Sequence, residues 1–236
     1  MKNTASLAGK VAVVTGAGGG IGRAICLELA SQGVIVFGAS RSPSALADTG
    51  ALIRSAGYEP FISVPTDVTL ESQVCSLFSE VAKSGPLDIL INNAGSGKPA
   101  RLLDATVDDW DSQMAINARA VFLCTREAAR RMLARGSGDI INLSSMAGKR
   151  PAAGFSAYTA SKHAAVGFTE AISRELRGTN IRVCSLCPGA VATRMRRNVA
   201  PGEDSRTITQ PEGIAALISF ILVAGVGIRD IAMDIF

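Results

Sequence analysis

Four glycines in five positions follow an apolar run near the start of the chain. The run Val11–Val14 has the composition of a short buried strand, and residues from Arg23 to Ala30 have helical periodicity. Between them, the glycines of Thr15–Gly22 let the backbone turn tightly, and the helix N-terminus presents unpaired N–H groups to an anion. This order predicts a loop that binds the pyrophosphate of a dinucleotide, with a ligand-free glycine turn as the alternative.

Strands and helices alternate along the rest of the chain. Apolar runs predict strands at Val11–Val14, Val34–Ala39, Glu59–Pro65, Ile89–Asn92, Asp139–Leu143, Ile181–Leu186 and Ile231–Asp234. Helical periodicity predicts helices at about 20–31, 43–56, 70–83, 107–135, 157–178 and 211–224. The alternation indicates an α/β fold with a Rossmann-type doubly wound parallel sheet of about seven strands, flanked by helices on both faces. Because the chain shows no repeat or linker, we expect residues 1–236 to form one domain.

A tyrosine and a lysine lie four residues apart in the segment Tyr158–Lys162. On a helix this spacing places both side chains on one face, one turn apart. A free tyrosine has a pKa of about 10, and a nearby positive charge favours its phenolate and eases proton exchange. Tyr and Lys at this spacing are also common on solvated helices, so the pair alone is only a candidate proton-transfer site.

The whole set of motifs resembles the short-chain dehydrogenase/reductase family, in its single-domain subclass of about 250 residues. Six motifs follow one another in the family's order and at its spacing. They are T-G-x-x-x-G-x-G at Thr15–Gly22, N-N-A-G at Asn92–Gly95, a helical asparagine at Asn117, a serine at Ser145 thirteen residues before the tyrosine, Y-x-x-x-K at Tyr158–Lys162, and P-G at Pro188-Gly189 with Thr193 beyond it.

The resemblance implies an oxidoreductase that interconverts a carbonyl and an alcohol by hydride transfer. Tyr158 would give the proton to the carbonyl oxygen, and Ser145 would hydrogen-bond the same oxygen. Lys162 would lower the pKa of the tyrosine and bind the nicotinamide ribose, and Asn117 would hold a water that links Lys162 to solvent.

The resemblance also implies which residues bind the cofactor, and it places a short substrate lid at about 190–210. The implied cofactor-binding residues are Gly16, Gly18, Gly19, Gly20, Ile21, Gly22, Ser40, Arg41, Asp67, Val68, Asn93, Ala94, Gly95, Tyr158, Lys162, Pro188, Gly189 and Thr193. Without the resemblance, Asp67 would be interpreted as a helix-capping residue, because Thr66–Thr69 precedes a predicted helix.

The end of the second predicted strand favours NADP(H) over NAD(H). An acidic residue about 20 positions after the loop usually binds the ribose 2′-hydroxyl of NAD, but Ser40 stands there. Arg41 follows, and a guanidinium suits a 2′-phosphate. Many NADP-using relatives carry a second basic residue where this chain has Gly19, which is a departure from that pattern.

Other chemistries find little support in the composition. His163 is the one histidine, which excludes histidine triads and histidine zinc sites, and we interpret it as a packing or interface residue. Cys184 and Cys187 form a C-x-x-C across the end of a strand and are expected to pack in the core. Asp108, Asp109 and Asp111 are expected to form a solvated first helical turn, and no metal site is expected.

Charge and hydropathy bear on location and partners. A net charge of +4 is too small and scattered to indicate nucleic-acid binding. No apolar run reaches transmembrane length and Met1–Ser6 lacks a signal region, so we expect no membrane partner and a cytoplasmic protein. Small residues on the predicted helices 107–135 and 157–178 predict a homodimer or homotetramer with these helices at its centre.

Two other function classes remain open on sequence grounds. A non-catalytic NADP-binding regulator would keep the fold, and an isomerase or epimerase would use the same Tyr–Lys pair. The substrate is expected to be a small carbonyl or alcohol compound, and fold does not identify it. Contacts to an anionic substrate from Arg194, Arg196 and Arg197, in the predicted lid, are as plausible as solvated positions for these residues.

Overall fold

The computed structural model describes residues 6–224 and 231–232, and a seven-stranded sheet organises this part of the chain. The strand order is β3-β2-β1-β4-β5-β6-β7, and every neighbouring pair is parallel. The strands are β1 Val11–Thr15, β2 Ile35–Ser40, β3 Phe61–Pro65, β4 Ile89–Asn92, β5 Gly138–Leu143, β6 Ile181–Cys187 and β7 Ile231–Ala232. The doubly wound parallel sheet of the sequence prediction is confirmed.

Helices cover both faces of this sheet. They are α1 Gly20–Ser31, α2 Pro43–Ser55, α3 Glu71–Val81, α4 Val107–Met114, α5 Ala120–Arg135, α6 Ser156–Glu175, α7 Arg194–Val199 and α8 Pro211–Ala224. One core cluster joins α1, α2 and α8 to the sheet, and a second joins α3 and α5 to its other face. Alternate residues of β1 serve the two clusters, since Ala12 faces the first and Val13 the second.

The central strands are fully buried, and two strands differ in their ends from the predicted ranges. β1 and β4 are buried along their whole length, as expected of central parallel strands covered on both faces. β3 lies at the edge of the sheet, and it begins at Phe61 rather than at the predicted Glu59. The predicted last strand Ile231–Asp234 is found at Ile231–Ala232, and Asp234 lies outside the described residues.

The predicted helix at 107–135 contains an interruption. A π-helical turn, Ala115–Arg119, separates α4 from α5, and Asn117 lies fully buried within it. A π turn inserts an extra residue into the helical repeat, and such turns often occur at functional sites. Apolar periodicity alone cannot show a one-residue insertion in a helix that continues on both sides.

The weakly patterned segment 190–210 is folded. It contains α7 and a short 3₁₀ turn at Ser205–Thr207, which the sequence analysis did not predict. Parallel pairing between Val191 and Thr209 closes its base, where the Ala192 N–H donates to the Thr209 carbonyl at 2.8 Å. The segment therefore leaves the body of the protein and returns to it at one place.

The order in which successive strands join the sheet reverses between β1 and β4. From β1 the chain builds outward through β2 to β3, whereas from β4 it builds outward through β5 to β7. Loops leaving the carboxyl ends of two such strands diverge and leave a crevice between them. The glycine loop after β1 and the Asn93–Gly95 turn after β4 meet at this crevice.

Candidate active site

The glycine loop is held tightly against the end of β4. Gly16 has a φ of +70°, which favours glycine, and a Cβ there would lie 2.7 Å from the Asn93 amide nitrogen. A Cβ on Gly22 would overlap the Gly16 carbonyl oxygen. Gly19 directly precedes α1 at the N-cap position and has no side chain, so the first N–H groups of this helix receive no side-chain cap from that residue.

Two residues that the sequence analysis missed fix the shape of this loop. The Arg23 guanidinium donates to the Gly18 carbonyl at 2.7 Å and to the Thr49 hydroxyl at 3.1 Å. The Thr49 hydroxyl donates in turn to the Ala17 carbonyl at 2.9 Å. The position of Arg23 directly after Gly22 was the available signal, whereas Thr49 comes from α2 and gives no local sign of this contact.

A cavity of about 400 Å³ lies beside the end of β2. Its lining includes Ser40, Arg41, Asp67 and Val68, four of the predicted cofactor-binding residues. We call it the adenosine-end cavity, because Ser40 and Arg41 were predicted to face the 2′ position of the ribose. Asp67 does not cap α3. Its Oδ1 accepts hydrogen bonds from both the N–H and the hydroxyl of Thr69 at 2.9 and 2.7 Å.

The charge of Arg41 reaches this cavity. Burial raises the pKa of Asp67, but hydrogen bonds from Thr69 and the positive charge of Arg41 outweigh it and hold that pKa below its usual value. Arg41 itself is exposed. The cavity therefore has a cation at its rim beside Ser40.

Thr15 joins the ends of β1 and β4. Its hydroxyl accepts hydrogen bonds from the N–H groups of Asn93 and Ala94, each at 3.0 Å. The Asn93 side chain donates to the Thr15 carbonyl at 2.9 Å, so this amide supports the glycine loop. A Cβ on Gly95 would lie 2.9 Å from Asn117 Oδ1, which explains the glycine at that turn.

A second cavity of about 280 Å³ runs from the glycine loop to the tyrosine and lysine. Of the predicted cofactor-binding residues, Gly18, Gly22 and Gly189 line neither of these two cavities. Gly18 packs against Ser40 and Ala45, and Gly22 packs under Gly16. Gly189 lines a third cavity, beside Ser145 and Tyr158, which is described below. The others line one or both cavities: Gly16, Gly19, Gly20, Ile21, Ser40, Arg41, Asp67, Val68, Asn93, Ala94, Gly95, Tyr158, Lys162, Pro188 and Thr193.

Ser145 and Tyr158 come together at the carboxyl end of β5. Ser145 follows that strand, Tyr158 lies in the first turn of α6, and both side chains line one cavity. Burial raises the pKa of Tyr158, and the hydrogen bond from Ser145 offsets that rise only in part. Burial, and not the positive charge of Lys162, therefore sets the direction of this shift, and the lowering of the tyrosine pKa by Lys162 stays a prediction.

Lys162 is buried one turn further along α6. Its Nζ lies 5.8 Å from the centre of the Tyr158 ring and donates to the Leu143 carbonyl at 3.2 Å. Burial lowers the pKa of Lys162 to about 8, because the charged ammonium loses its water. Tyr158 and Lys162 share one face of the helix, as their spacing predicted.

Asn117 connects the π turn to two other elements. Its amide nitrogen donates to the Ser96 carbonyl at 2.8 Å and to the Ser161 hydroxyl at 3.0 Å, and its Oδ1 accepts from the Ser96 N–H at 3.1 Å. Ser161 donates to the Tyr158 carbonyl at 2.7 Å. Asn117 thus braces the start of α6, and Ser161, inside the Tyr–Lys pentapeptide, was missed by the sequence analysis.

A third cavity, of about 400 Å³, opens beside Ser145 and Tyr158 on the side facing the 190–210 segment. Met195, Arg196 and Val199 of α7 form part of its wall. Arg194 instead lines the cavity that runs from the glycine loop, and Arg197 is exposed. The three arginines therefore occupy three different environments.

The structure also bears on the predictions for the cysteines, the histidine and the acidic residues of α4. Cys184 and Cys187 are buried, as expected of core residues. His163 is exposed and contacts the Thr159 carbonyl through Nδ1, so it does not pack within this chain. Asp109 is buried and pairs with Lys98 at 2.6 Å, so the solvated position expected for it is wrong.

Two searches of the described part of the chain were negative. Across residues 6–224 and 231–232, no group of three His, Cys, Asp or Glu residues is placed to hold a metal ion. None of the helices within these ranges combines the length and the apolar character needed to cross a membrane.

Comparison with known proteins decides the family. A sequence model described as short chain dehydrogenase matches residues 10–204. The chain belongs to the short-chain dehydrogenase family. A short-chain type dehydrogenase/reductase of Picea abies is 39% identical over 198 residues, covering 80% of this chain and 73% of the relative. A 3-oxoacyl-(acyl-carrier-protein) reductase of Synechocystis is 35% identical over 224 residues, covering 92% and 90%.

Solved structures agree with this assignment. The actinorhodin polyketide ketoreductase, crystallised with NADPH, has a TM-score of 0.87 and 30% identity, and 94% of each chain is covered. Short-chain dehydrogenases are oxidoreductases that bind a nicotinamide cofactor. The residues of this short-chain dehydrogenase fit such a group, because side chains at Gly16 and Gly22 would collide with the loop that forms its cradle.

Proposed function

We propose that this short-chain dehydrogenase interconverts a carbonyl and an alcohol with NADP(H) as its cofactor. The proposal is carried by the meeting of Ser145 and Tyr158 at one cavity, because both hydroxyl-bearing side chains line its wall. The cavity that begins at the glycine loop reaches Tyr158 and Lys162 from the other side. A carbonyl oxygen bound between the two cavities would meet both hydroxyls.

The bound nicotinamide supplies or accepts hydride, and the protein handles the proton. Burial keeps Tyr158 protonated near neutral pH, which suits a residue that donates a proton to the carbonyl oxygen. Ser145 donates a hydrogen bond to the same oxygen as negative charge develops there. Lys162 binds the nicotinamide ribose, and its lowered pKa lets it release a proton toward Tyr158.

Asn117 belongs to the same proposal as the residue that holds a water between Lys162 and solvent. Its side-chain nitrogen and oxygen already bond to Ser96 and Ser161. We assign the water to its main-chain carbonyl, which lies in the π turn. The side chain then fixes the position of that carbonyl.

The preference for NADP(H) rests on the rim of the adenosine-end cavity. Arg41 supplies a cation beside Ser40, and the carboxylate of Asp67 in the same cavity turns one oxygen to Thr69. A guanidinium forms bidentate hydrogen bonds with a phosphate, such as the 2′-phosphate of NADP(H), whereas the ribose 2′-hydroxyl of NAD(H) is usually bound by a carboxylate. The actinorhodin ketoreductase, a structural relative, was crystallised with NADPH.

Titration of the purified protein with NADPH and NADH tests this preference. We expect NADPH to bind more tightly than NADH. Arg41→Ala should reduce the ratio of the two dissociation constants by roughly tenfold, because it removes a charge-assisted contact. Gly19→Arg should increase the preference for NADPH, because it adds the second basic residue that many NADP-using relatives carry. The side chain has room, since no heavy atom beyond the chain neighbours of Gly19 lies within 4 Å of a Cβ there. Equal affinities in the wild type, or a preference for NADH, would contradict the proposal.

Cofactor turnover separates this function from the two alternatives. A reductase consumes NADPH when a carbonyl substrate is present, an epimerase does not, and a regulator only binds it. We favour the reductase because Asn117, Ser145, Tyr158 and Lys162 converge in one place, which a regulator would not require.

A further inference from the structure

The cavity beside Ser145 and Tyr158 has an apolar wall. It measures about 400 Å³, which is within the usual range of small-molecule sites. Its wall comes from the start of α1, the turn after β5, the start of α6, the turn after β6 and the 190–210 segment. The apolar side chains that line it are Ile21, Met146, Ala147, Ala152, Phe155, Pro188, Ala190, Val191, Met195 and Val199.

Most polar side chains of this wall already have protein partners. The Ser144 hydroxyl donates to the Lys162 carbonyl at 3.0 Å, and the Thr193 hydroxyl accepts from the Arg196 N–H at 3.2 Å. Ser145 and Tyr158 remain as the hydroxyls that meet the reacting oxygen. The rest of a bound molecule would therefore contact mainly carbon and sulfur atoms.

Arg196 is the one charged residue among the described residues that line the cavity. Its Nε and Nη2 donate to the two carboxylate oxygens of Glu203, each at 2.6 Å. These hydrogen bonds raise the pKa of Arg196 and lower that of Glu203, so both groups stay ionised. Glu203 thereby neutralises the charge that would otherwise attract an anionic substrate.

We infer that this site accepts uncharged, largely apolar ketones or aldehydes and discriminates against carbonyl compounds that carry a carboxylate or phosphate. The inference rests on the proposed function, since it names the substrate class of the same site. An anionic group placed against this wall would lose its water and gain no free cation in return. An apolar group would gain from leaving water.

A matched pair of ketones tests the inference. Methyl para-acetylbenzoate and para-acetylbenzoate share the ring and the reacting carbonyl, and they differ in one negative charge. In each reduction the carbonyl carbon takes hydride from NADPH, which becomes NADP⁺, and the oxygen takes a proton from Tyr158. We expect kcat/KM for the ester to exceed that for the carboxylate by on the order of 10²-fold. Equal values, or faster reduction of the carboxylate, would overturn the inference.

Calorimetric titration of both compounds into the protein with NADP⁺ separates this inference from the proposed function. Binding of the ester but not of the carboxylate, with no reduction of either, supports the apolar site and contradicts the reductase. Equal reduction of both compounds supports the reductase and overturns the apolar site. Binding of neither compound, to a protein that binds NADP⁺, also overturns the inference.

Glu203→Gln tests the neutralising role directly, because it frees Arg196 without altering the cavity wall. We expect kcat/KM for the carboxylate to rise about tenfold, as expected for one new charge-assisted contact. The value for the ester should change less than about threefold. Asp204→Asn is the matched control, since it frees Arg206, whose side chain is exposed and lines none of the three cavities. An unchanged ratio of ester to carboxylate in Glu203→Gln would overturn the role given to Glu203.

Discussion

Burial favours the uncharged forms of both Tyr158 and Lys162. The pKa of the tyrosine is raised and that of the lysine is lowered to about 8. At neutral pH the tyrosine therefore holds its proton, and the lysine carries a charge that it can lose within about one pH unit. In the function proposed above, a proton donor and a group able to replenish it would thus stand one helical turn apart.

Replacing Tyr158 with phenylalanine should remove the proton donor and little else. The substitution deletes one hydroxyl, and we expect the fold and NADPH affinity to persist while carbonyl reduction falls at least on the order of 10²-fold. Steady-state kinetics and a cofactor titration on the same preparation make the comparison. A phenylalanine variant with near-normal turnover would show that another group supplies the proton.

Replacing Lys162 with methionine should stabilise the protein at neutral pH and abolish its activity. Moving the lysine pKa from 10.5 to about 8 costs the folded state about 3 kcal/mol below pH 8, at about 1.4 kcal/mol per pH unit. Because the unfolded chain binds this proton more tightly, the cost disappears as pH rises from about 8 to 10.5. Urea unfolding without added cofactor should show the variant more stable at pH 7, with the difference shrinking by pH 10.

Lys83→Met is the control for that experiment, since the Lys83 side chain is 71% exposed. Its unfolding free energy should stay within about 0.5 kcal/mol of the wild type. A Lys162→Met protein that is less stable than the wild type at pH 7 would contradict the assigned cost of burying the ammonium.

At the scale of single elements, the glycine loop offers a matched pair of substitutions. A methyl group at Gly22 would overlap the Gly16 carbonyl and lie 2.5 Å from the Asn93 amide nitrogen. We expect Gly22→Ala to lose about 2 kcal/mol of unfolding free energy and to bind both cofactors more weakly. Gly19 is extended with open space around its Cβ position, so Gly19→Ala should stay within about 0.5 kcal/mol of the wild type. Equal denaturation midpoints for the two variants would contradict this account.

The sequence predicted elements well where local chemistry defines them. Helix α2 begins at Pro43 after Ser42, whose side chain accepts from the Ala45 N–H, and α5 ends at Gly136 with a φ of +86°. The Tyr158–Lys162 spacing and the glycine loop were likewise local signals. The π turn was not predicted because one inserted residue leaves the apolar pattern of a long helix nearly intact.

Contacts between distant segments explain the rest of what was missed. The bond from Arg23 to Thr49 depends on how α1 packs against α2, and the pairing of Arg196 with Glu203 depends on how the 190–210 segment folds back, and periodicity encodes neither. The apolar cavity wall draws on several separate stretches of chain, and none of them is distinctive alone. The pKa of Tyr158 depends on burial, which a spacing argument from two residues cannot supply.

At the scale of the whole molecule, the small residues of α5, α6 and the π turn fall into two groups. Ala120, Ala128 and Ala165 are buried within the chain, so they pack on its own core. The others are partly or fully exposed: Ala118, Ala129, Ala164, Gly167 and Ala171. Phe122, 41% exposed, stacks edge-on against Phe168 between α5 and α6, with 5.9 Å between ring centres. This surface keeps the apolar and small character that a helical interface requires.

We therefore expect a dimer or tetramer with α5 and α6 at its centre, and light scattering measures its mass. Gly167→Arg should lower that mass, because apart from its chain neighbours and its own helix backbone no heavy atom of the chain lies within 4 Å of a Cβ there, and a partner helix would meet the new side chain. Arginine also has a higher helix propensity than glycine, so the fold should not suffer. Ala51→Arg, at an exposed position of α2, is the control. A monomeric wild type at micromolar concentration would end the proposal.

The closed base of the 190–210 segment has a consequence for how such enzymes change over time. Because the segment begins and ends at the Val191–Thr209 pairing, residues from Arg194 onward can be replaced, inserted or deleted while β6 and α8 stay where they are. Under the proposed function, mutations from Arg196 onward alter the wall of the substrate cavity and leave Ser145 and Tyr158 in place, whereas Arg194 and Met195 line the cavity that begins at the glycine loop. A lineage can acquire new substrates by drift within this one loop, and transplanting the loop between relatives would reproduce that history in the laboratory.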